Sequence, residues 1–245
     1  MGKDKIAIIS DIHANIEALD EVYKDIEKEK IEKIICLGDV VGYGPNPNEA
    51  IDMVKDRVLY TIKGNHDEGI INENVLFDFN EYGIKAIEWQ KNILKKDGFD
   101  FLSTLNFDMK FDDFQIVHGA LSDYFKYILT ISDALEEIKY MERDILFIGH
   151  SHRTAVFDLN DKIYYPFKEM GEFKLEKDKK YIINPGSVGQ PRDYNPLSSY
   201  LIFDQENYKL IFKRIAYPFD ITREKIIKGG LPEFLGDRLI IGFWQ

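Results

Sequence analysis

In Lys5-Ile6-Ala7-Ile8-Ile9-Ser10-Asp11-Ile12-His13, a short apolar run ends in an acid and an imidazole. Such a run, bounded by polar residues, predicts a buried strand over Lys5–Ser10 with Asp11 and His13 just past its end. Four more runs predict strands over Lys33–Leu37, Val58–Ile62, Phe114–Val117 and Ile145–Ile148. Between the first two, Ile16, Leu19, Tyr23 and Ile26 recur at three- and four-residue intervals, which marks one buried helical face. A second helix is predicted from about Asn80 to Leu94, with Tyr82, Ala86, Trp89 and Ile93 as its core-facing stripe. Strands alternating with helices imply βα units, and 245 residues fit one large α/β domain, with a possible lid within 68–110. After Ser151 the texture shifts to hairpin-like runs, Ala155–Leu159, Tyr181–Ile183, Tyr200–Asp204 and Lys209–Ile215, while Phe167–Lys180 reads as a solvated hairpin or loop.

Composition narrows the function classes. An apolar fraction of 44% and a charged fraction of 31% describe a globular chain with a real core. The net charge of −11 argues against a broad nucleic-acid surface and against duplex binding, because such surfaces need clustered Lys and Arg. It leaves room for a small phosphorylated substrate, since bound cations dominate the local field of a cleft. Cys36 is the single cysteine and lies in an apolar run, so a buried, inert thiol is expected. The sequence has no apolar run of transmembrane length and no signal-peptide core near Met1, so a cytoplasmic protein without a membrane partner is expected.

The chemistry is concentrated at the predicted strand ends. Ser10-Asp11-Ile12-His13, Gly38-Asp39, Gly64-Asn65-His66-Asp67, His118-Gly119 and Gly149-His150-Ser151-His152 each follow one of the five strands. In an open α/β sheet the carboxyl ends of the strands share one edge, where loops form the ligand crevice. All five histidines, the carboxylates Asp11 and Asp39, and Asn65 are therefore directed toward one region. Imidazole and carboxylate without thiolate suit Mn, Fe, Ni or Zn. Taken singly, Asp or Gly after a strand is an ordinary turn signal. The shared placement is what points to a metal centre.

These segments, in this order, resemble the calcineurin-type metallophosphoesterases. The tract Asn184-Pro185-Gly186-Ser187-Val188-Gly189-Gln190-Pro191-Arg192 resembles the C-terminal segment of their small bacterial and archaeal members. The resemblance implies an α/β fold of four layers, an αββα sandwich with two packed β-sheets flanked by helices. It implies two divalent metal ions, one held by Asp11, His13, Asp39 and His152, the other by Asp39, Asn65, His118 and His150. It also implies hydrolysis of phosphate esters by a metal-bridging hydroxide, with His66 outside the metal shell protonating the leaving group. Two ions, two Asp ligands and one hydroxide sum to a first shell of +1, which favours phosphate capture.

Departures from the family refine the expectation. Protein phosphatases of this family carry Asp and Arg at the third and fourth positions after the bridging Asp, where this chain has Gly42 and Tyr43. That weakens a protein-phosphatase function and leaves Asp67 as a possible partner for His66. Asn65, His66, Tyr43 and Arg192 are candidates for contacting substrate. Arg192 either replaces the missing arginine or pairs with Asp193; Tyr43 either stacks on a base or packs within its loop. Expected substrates are small phosphomonoesters or diesters, with asymmetrical dinucleoside polyphosphate hydrolysis, or a non-catalytic scaffold on the same fold, as alternatives.

Overall fold

The computed structural model describes residues 5–243. In chain order the strands are β1 Lys5–Ile9, β2 Lys33–Cys36, β3 Tyr60–Thr61, β4 Asp108–Lys110, β5 Phe114–Val117, β6 Ile145–Phe147, β7 Thr154–Asp158, β8 Ile163–Pro166, β9 Gly171–Lys174, β10 Tyr181–Pro185, β11 Ser198–Asp204 and β12 Lys209–Ile215. The α-helices are α1 Ile16–Lys28, α2 Pro47–Arg57, α3 Asn65–Ile71, α4 Glu81–Ile93, α5 Lys96–Thr104, α6 Ile131–Glu137, α7 Phe219–Lys228 and α8 Glu233–Ile241. The strands form two six-stranded sheets, ordered β3-β2-β1-β11-β12-β9 and β4-β5-β6-β10-β7-β8.

Each sheet carries three parallel strands, and their register levels the ends. Ile9 pairs with Cys36, and Cys36 with Thr61, so β1, β2 and β3 stop at one height. In the other sheet Ile116 pairs with Phe147 and Phe147 with Ile183, which levels β5, β6 and β10. Side chains alternate between faces, as strands buried on both sides require. Ile6 and Ile8 meet Ile116, Phe147 and Ile183 between the sheets, whereas Ala7 and Ile9 pack outward under Leu19, Val22 and Val54 of α1 and α2. On the far side Leu146, Ile148 and Ile182 pack beneath Ala134 of α6. The result is the four-layer sandwich. None of the described helices is long and apolar enough to cross a membrane.

Two expectations are corrected. Phe167–Lys180 is no solvated hairpin: β9 pairs with β12 and forms the edge of that sheet, Phe167 stacks on Phe212 at 4.2 Å between ring centroids, and Leu175 is buried. The segment runs from the edge of one sheet to the edge of the other, and its charged residues had hidden that course. Helix α4 starts and stops as predicted, with the Asn80 side chain accepting from Gly83 N at 2.9 Å. Its buried face is Gly83, Ala86, Ile87 and Gln90, while Ile93 is 41% exposed. Buried Gln90 has a backbone to serve, described below.

One ion pair clamps the two sheets near the loops. The β12 alternation that buries Leu210 and Phe212 also buries Arg214, which pairs with Asp193 and donates to Thr154 Oγ1 of β7 at 2.8 Å. Asp193 Oδ2 also accepts from Thr154 Oγ1 at 3.0 Å. Removing one member of a buried pair leaves the other charge uncompensated. Asp193→Ala should therefore lower the unfolding free energy by about 3–5 kcal/mol in urea titrations. Arg214→Met added to that variant should recover part of the loss.

Candidate metal centre and cleft

The loops after the level strand ends take conformations that side chains rarely adopt. Asp11, His13, Asp39, His150 and His152 all lie in the left-handed region, with φ between 50° and 65°. Such backbone costs on the order of 1 kcal/mol per residue and persists only where its surroundings enforce it. The enforcement is visible in the hydrogen bonds between loops. Asp11 N donates to Gly38 O at 3.0 Å, His13 N to Asp39 O at 2.9 Å and Gly149 N to His118 O at 2.7 Å. The Asn184–Arg192 tract threads between them. Val188 N and Gly189 N donate to Ser10 O and Asp11 O, each at 2.9 Å, and Asn184 Nδ2 donates to Gly149 O at 2.6 Å. A Cβ on Gly189 would collide with the Ile12 carbonyl oxygen, so this close approach requires glycine.

Six of the seven expected ligands converge in two groups, and the seventh, Asn65, lines the cleft beside Asp39 and His150. Donor atoms of Asp11, His13, Asp39 and His152 lie within 4.8 Å of one another, as do those of Asp39, His118 and His150, so Asp39 belongs to both groups. His118 Nε2 is 3.3 Å from Asp39 Oδ2, and His152 Nε2 is 3.1 Å from Asp11 Oδ1. The Nδ1 atoms of His13, His118 and His152 donate to the carbonyls of Val41, Leu37 and Gln190 at 3.0, 2.8 and 2.6 Å. A carbonyl only accepts, so each Nδ1 carries a proton and Nε2 is turned toward the centre. His13 Nε2 and His152 Nε2 then face each other at 3.1 Å, lone pair to lone pair. Asp11 Oδ1, Asp39 Oδ2, Asn65 Oδ1, His118 Nε2 and His150 Nε2 are buried without a hydrogen-bond partner. Unmet acceptors crowded this way suit divalent cations, so the donor set fits a metal centre.

Protonation mostly follows the same logic. Burial resists ionising Asp11, but the His152 and His118 rings beside it hold its carboxyl down to about 2. Burial, reinforced by His152 for His13 and by His118 for His150, drives both imidazoles well below their ordinary value. His118 differs: burial opposes its charge, yet Asp39 and Asp11 raise it to about 9. A cation entering there has to displace that proton.

His66 is buried beside these groups, caged by His13, Tyr43 and Phe79 at centroid distances of 4.8, 4.3 and 4.7 Å. Its Nδ1 has no hydrogen-bond partner, so the suggested pairing with Asp67 is absent. Asp67 instead accepts four backbone N–H groups. Its Oδ2 takes those of Asp39 and Gly64 at 2.8 and 3.0 Å, and its Oδ1 those of Val40 and Val41 at 2.9 and 3.2 Å. Gly42 packs directly against the His66 ring, where any Cβ would collide with it. Gln90 stitches that turn, accepting from Gly42 N and donating to Gly44 O, both at 2.7 Å.

Tyr43 packs in its loop among Ala86, Ile226, Leu235 and Leu239, as the packing alternative had it, although its ring also borders the cleft. Arg192 is buried on the cleft wall; its Nη2 donates to Gln190 Oε1 at 3.0 Å, while Asp193 is engaged by Arg214. Gln90, Tyr127 and Arg238 were not found from the sequence, and Asp67 was singled out only as a partner for His66. Tyr127 stacks on His150 at 3.8 Å, and Arg238 of α8 lies 4.3 Å over the Tyr43 ring. Only the position of Asp67 inside Gly64-Asn65-His66-Asp67 offered a signal. Tyr43, Tyr127 and Arg192 line a cleft of about 520 Å³ that also reaches Asp39, Asn65, His150 and His152.

Replacing Asp67 with Asn turns an acceptor into a donor facing two N–H groups. Each buried polar group left unmet costs about 1–3 kcal/mol. Asp67→Asn should lower the melting temperature and reduce the metal bound per chain, read by thermal unfolding and elemental analysis; unchanged metal content would mean that the Asp39 turn does not depend on this carboxylate.

Comparison with known proteins agrees with this geometry. The model described as the calcineurin-like phosphoesterase superfamily domain matches residues 5–208. The uncharacterized protein MJ0912 of Methanocaldococcus jannaschii is 40% identical over 248 residues, covering 99% of this chain and 100% of that protein. A metallophosphoesterase from Sphaerobacter thermophilus superposes with a TM-score of 0.89 at 32% identity, over 98% of this chain and 99% of that one. Protein PH1004 from Pyrococcus horikoshii has the same fold, with a TM-score of 0.81 at 20% identity over 98% and 99% of the two chains. A family match over most of the chain, on a sandwich whose strand ends gather Asp and His into two metal-sized groups, makes this protein a member of the calcineurin-like phosphoesterase superfamily.

Proposed function

We propose that the protein hydrolyses phosphate esters of small soluble substrates with two divalent cations, Mn, Fe, Ni or Zn, held by the seven residues above. The observation that carries this is the set of five buried, partnerless atoms on Asp11, Asp39, Asn65, His118 and His150, four of these residues belonging to the two donor groups that share Asp39. When bound, such cations supply an activated water as nucleophile and neutralise phosphate charge. The remaining tasks belong to the chain. Asp39 joins the two groups, and Asn65 adds a donor without adding negative charge. Arg192 lines the cleft, which supports a role for its guanidinium in gripping phosphate oxygens.

His66 is assigned to the leaving group. Burial pushes its imidazole down to about 3, with Arg192 and neighbouring histidines adding to the effect of burial against the pull of Asp39. A phosphate dianion arriving beside the ring favours its charged form, so substrate itself raises His66 toward a proton-donating state. With Gly42 against the ring, no carboxylate stands at the position where protein phosphatases carry one. Asp78 and Asp123 line the cleft, and their charge disfavours long polyanions, which ranks a single phosphate above a dinucleoside polyphosphate. The presence of every expected ligand argues against a scaffold that has lost catalysis. Burial pushes the Cys36 thiol up and keeps it inert, in keeping with a cytoplasmic setting.

His66→Ala should reduce kcat by about 10²–10⁴-fold while leaving two metal equivalents bound, measured by phosphate release and elemental analysis. Asp39→Asn should lose both metals and activity together. A chelated, metal-free preparation that retained full activity would overturn the proposal.

A further inference from the structure

The cleft changes character away from the metal centre. Its inner end is polar, with Asp39, Asn65, His150 and Arg192. Val75, Phe79, Phe125 and Tyr127 also line it, three of them aromatic. Phe79 lies against His66 at 4.7 Å between centroids and Tyr127 against His150 at 3.8 Å, so these rings adjoin the proton-donor histidine and a candidate metal ligand. They remain partly exposed in the cleft: Phe79 and Phe125 are half-buried, and Tyr127 is 42% exposed. Exposed aromatic rings inside a concave site beside polar groups are the usual lining of a small-molecule pocket.

The charges at this outer wall are negative. Asp78 and Asp123 both line it. Lys126, the lysine among the lining residues, pairs with Glu136 at 2.6 Å. A second phosphate placed there would meet carboxylates and a cation already engaged. A polyol would find rings where it needs hydrogen-bonding groups. A flat aromatic group finds stacking surfaces, and the carboxylates are acceptors for hydroxyl or amino groups at its edge. The volume of about 520 Å³ suits a ligand of nucleoside size.

We infer that the ester cleaved here carries one phosphate joined to an alcohol bearing a flat aromatic group of nucleoside size, which Phe79, Phe125 and Tyr127 select by stacking. This rests on the phosphoesterase function proposed above and names its substrate class. The phosphate sits at the inner end and the aromatic group lies outward along Phe79 and Phe125. Tyr127 links the two regions, since its ring stacks on His150 and it lines the cleft together with Arg192.

The discriminating pair of probes is AMP and ribose 5-phosphate, which share the same phosphorylated primary alcohol and differ only in the base. With Mn-loaded full-length protein, initial rates give kcat/KM for each, and calorimetry on the slow His66→Ala variant gives Kd for each. Stacking on an aromatic side chain should favour AMP by about 10-fold or more in both measurements. Phe125→Ala and Phe79→Ala should each bring that preference below about 3-fold, and Phe125→Leu and Phe79→Leu repeat the test with better-packed replacements. ADP should be a poorer substrate than AMP, and Asp123→Asn should narrow that gap.

The outcomes separate the two claims. Equal constants for AMP and ribose 5-phosphate, with both hydrolysed, would overturn the substrate class and leave the phosphoesterase function standing. Preferential binding of AMP without hydrolysis of either would keep the aromatic subsite and overturn the function. A preference for ADP over AMP would overturn the single-phosphate assignment, and failure to bind or hydrolyse either probe would overturn both claims.

Discussion

Six parallel strands ending at one edge of a two-sheet stack are the constraint from which the rest follows. Register places Ile9, Cys36 and Thr61 side by side in one sheet and Ile116, Phe147 and Ile183 side by side in the other. Apolar packing between the sheets holds the two edges together. Donor atoms of Asp11, His13, Asp39, His118, His150 and His152, carried by four segments distant in sequence, then gather into two groups that share Asp39, and Asn65 from a fifth segment lines the same cleft. No single loop could assemble that set.

Holding it together is costly, and the structure shows where the cost is met. Acceptors with no partner and the left-handed residues Asp11, His13, Ala14, Asp39, Tyr43, His150 and His152 are concentrated at the edge. They are offset by hydrogen bonds running between loops rather than within them. Asp67 binds the Asp39 turn to the start of α3, Gln90 binds the Gly42 turn to α4, and the Asn184–Arg192 tract ties β1 to β6. Each tie is a side chain or close backbone approach that orders a residue facing the cleft. Removing such a tie would disturb function without touching a ligand.

Much of this was legible in the sequence. Lys5–Ser10, Lys33–Leu37, Phe114–Val117 and Ile145–Ile148 were recognisable as strands because buried parallel strands are short continuous apolar runs, and each came within a residue of its observed end. Val58–Ile62 was legible as an element, although only Tyr60–Thr61 pairs as a strand. The metal-capable residues stood out because each follows one of those runs. The course of Phe167–Lys180 was not legible, because an edge strand that crosses between sheets is half-exposed and shows a charged sequence. The buried face of α4 was mistaken for the same kind of reason: a glutamine serving a distant backbone looks polar, and an exposed isoleucine looks apolar.

By itself, then, the sequence determined the α/β class, the strands that carry the site, and the candidate metal-facing side chains at their ends, because these depend on local periodicity and on residues adjacent to strand ends. Only the tertiary structure decided the partners. It gave Asp67 to four backbone amides instead of His66, gave Asp193 to Arg214 instead of Arg192, brought Arg238 from α8 onto Tyr43, and built the aromatic wall from Phe79, Phe125 and Tyr127. Those pairings join residues up to 195 positions apart, Tyr43 and Arg238 being the widest. At such separations local pattern carries no information, and burial, charge and the packing of whole layers choose who meets whom.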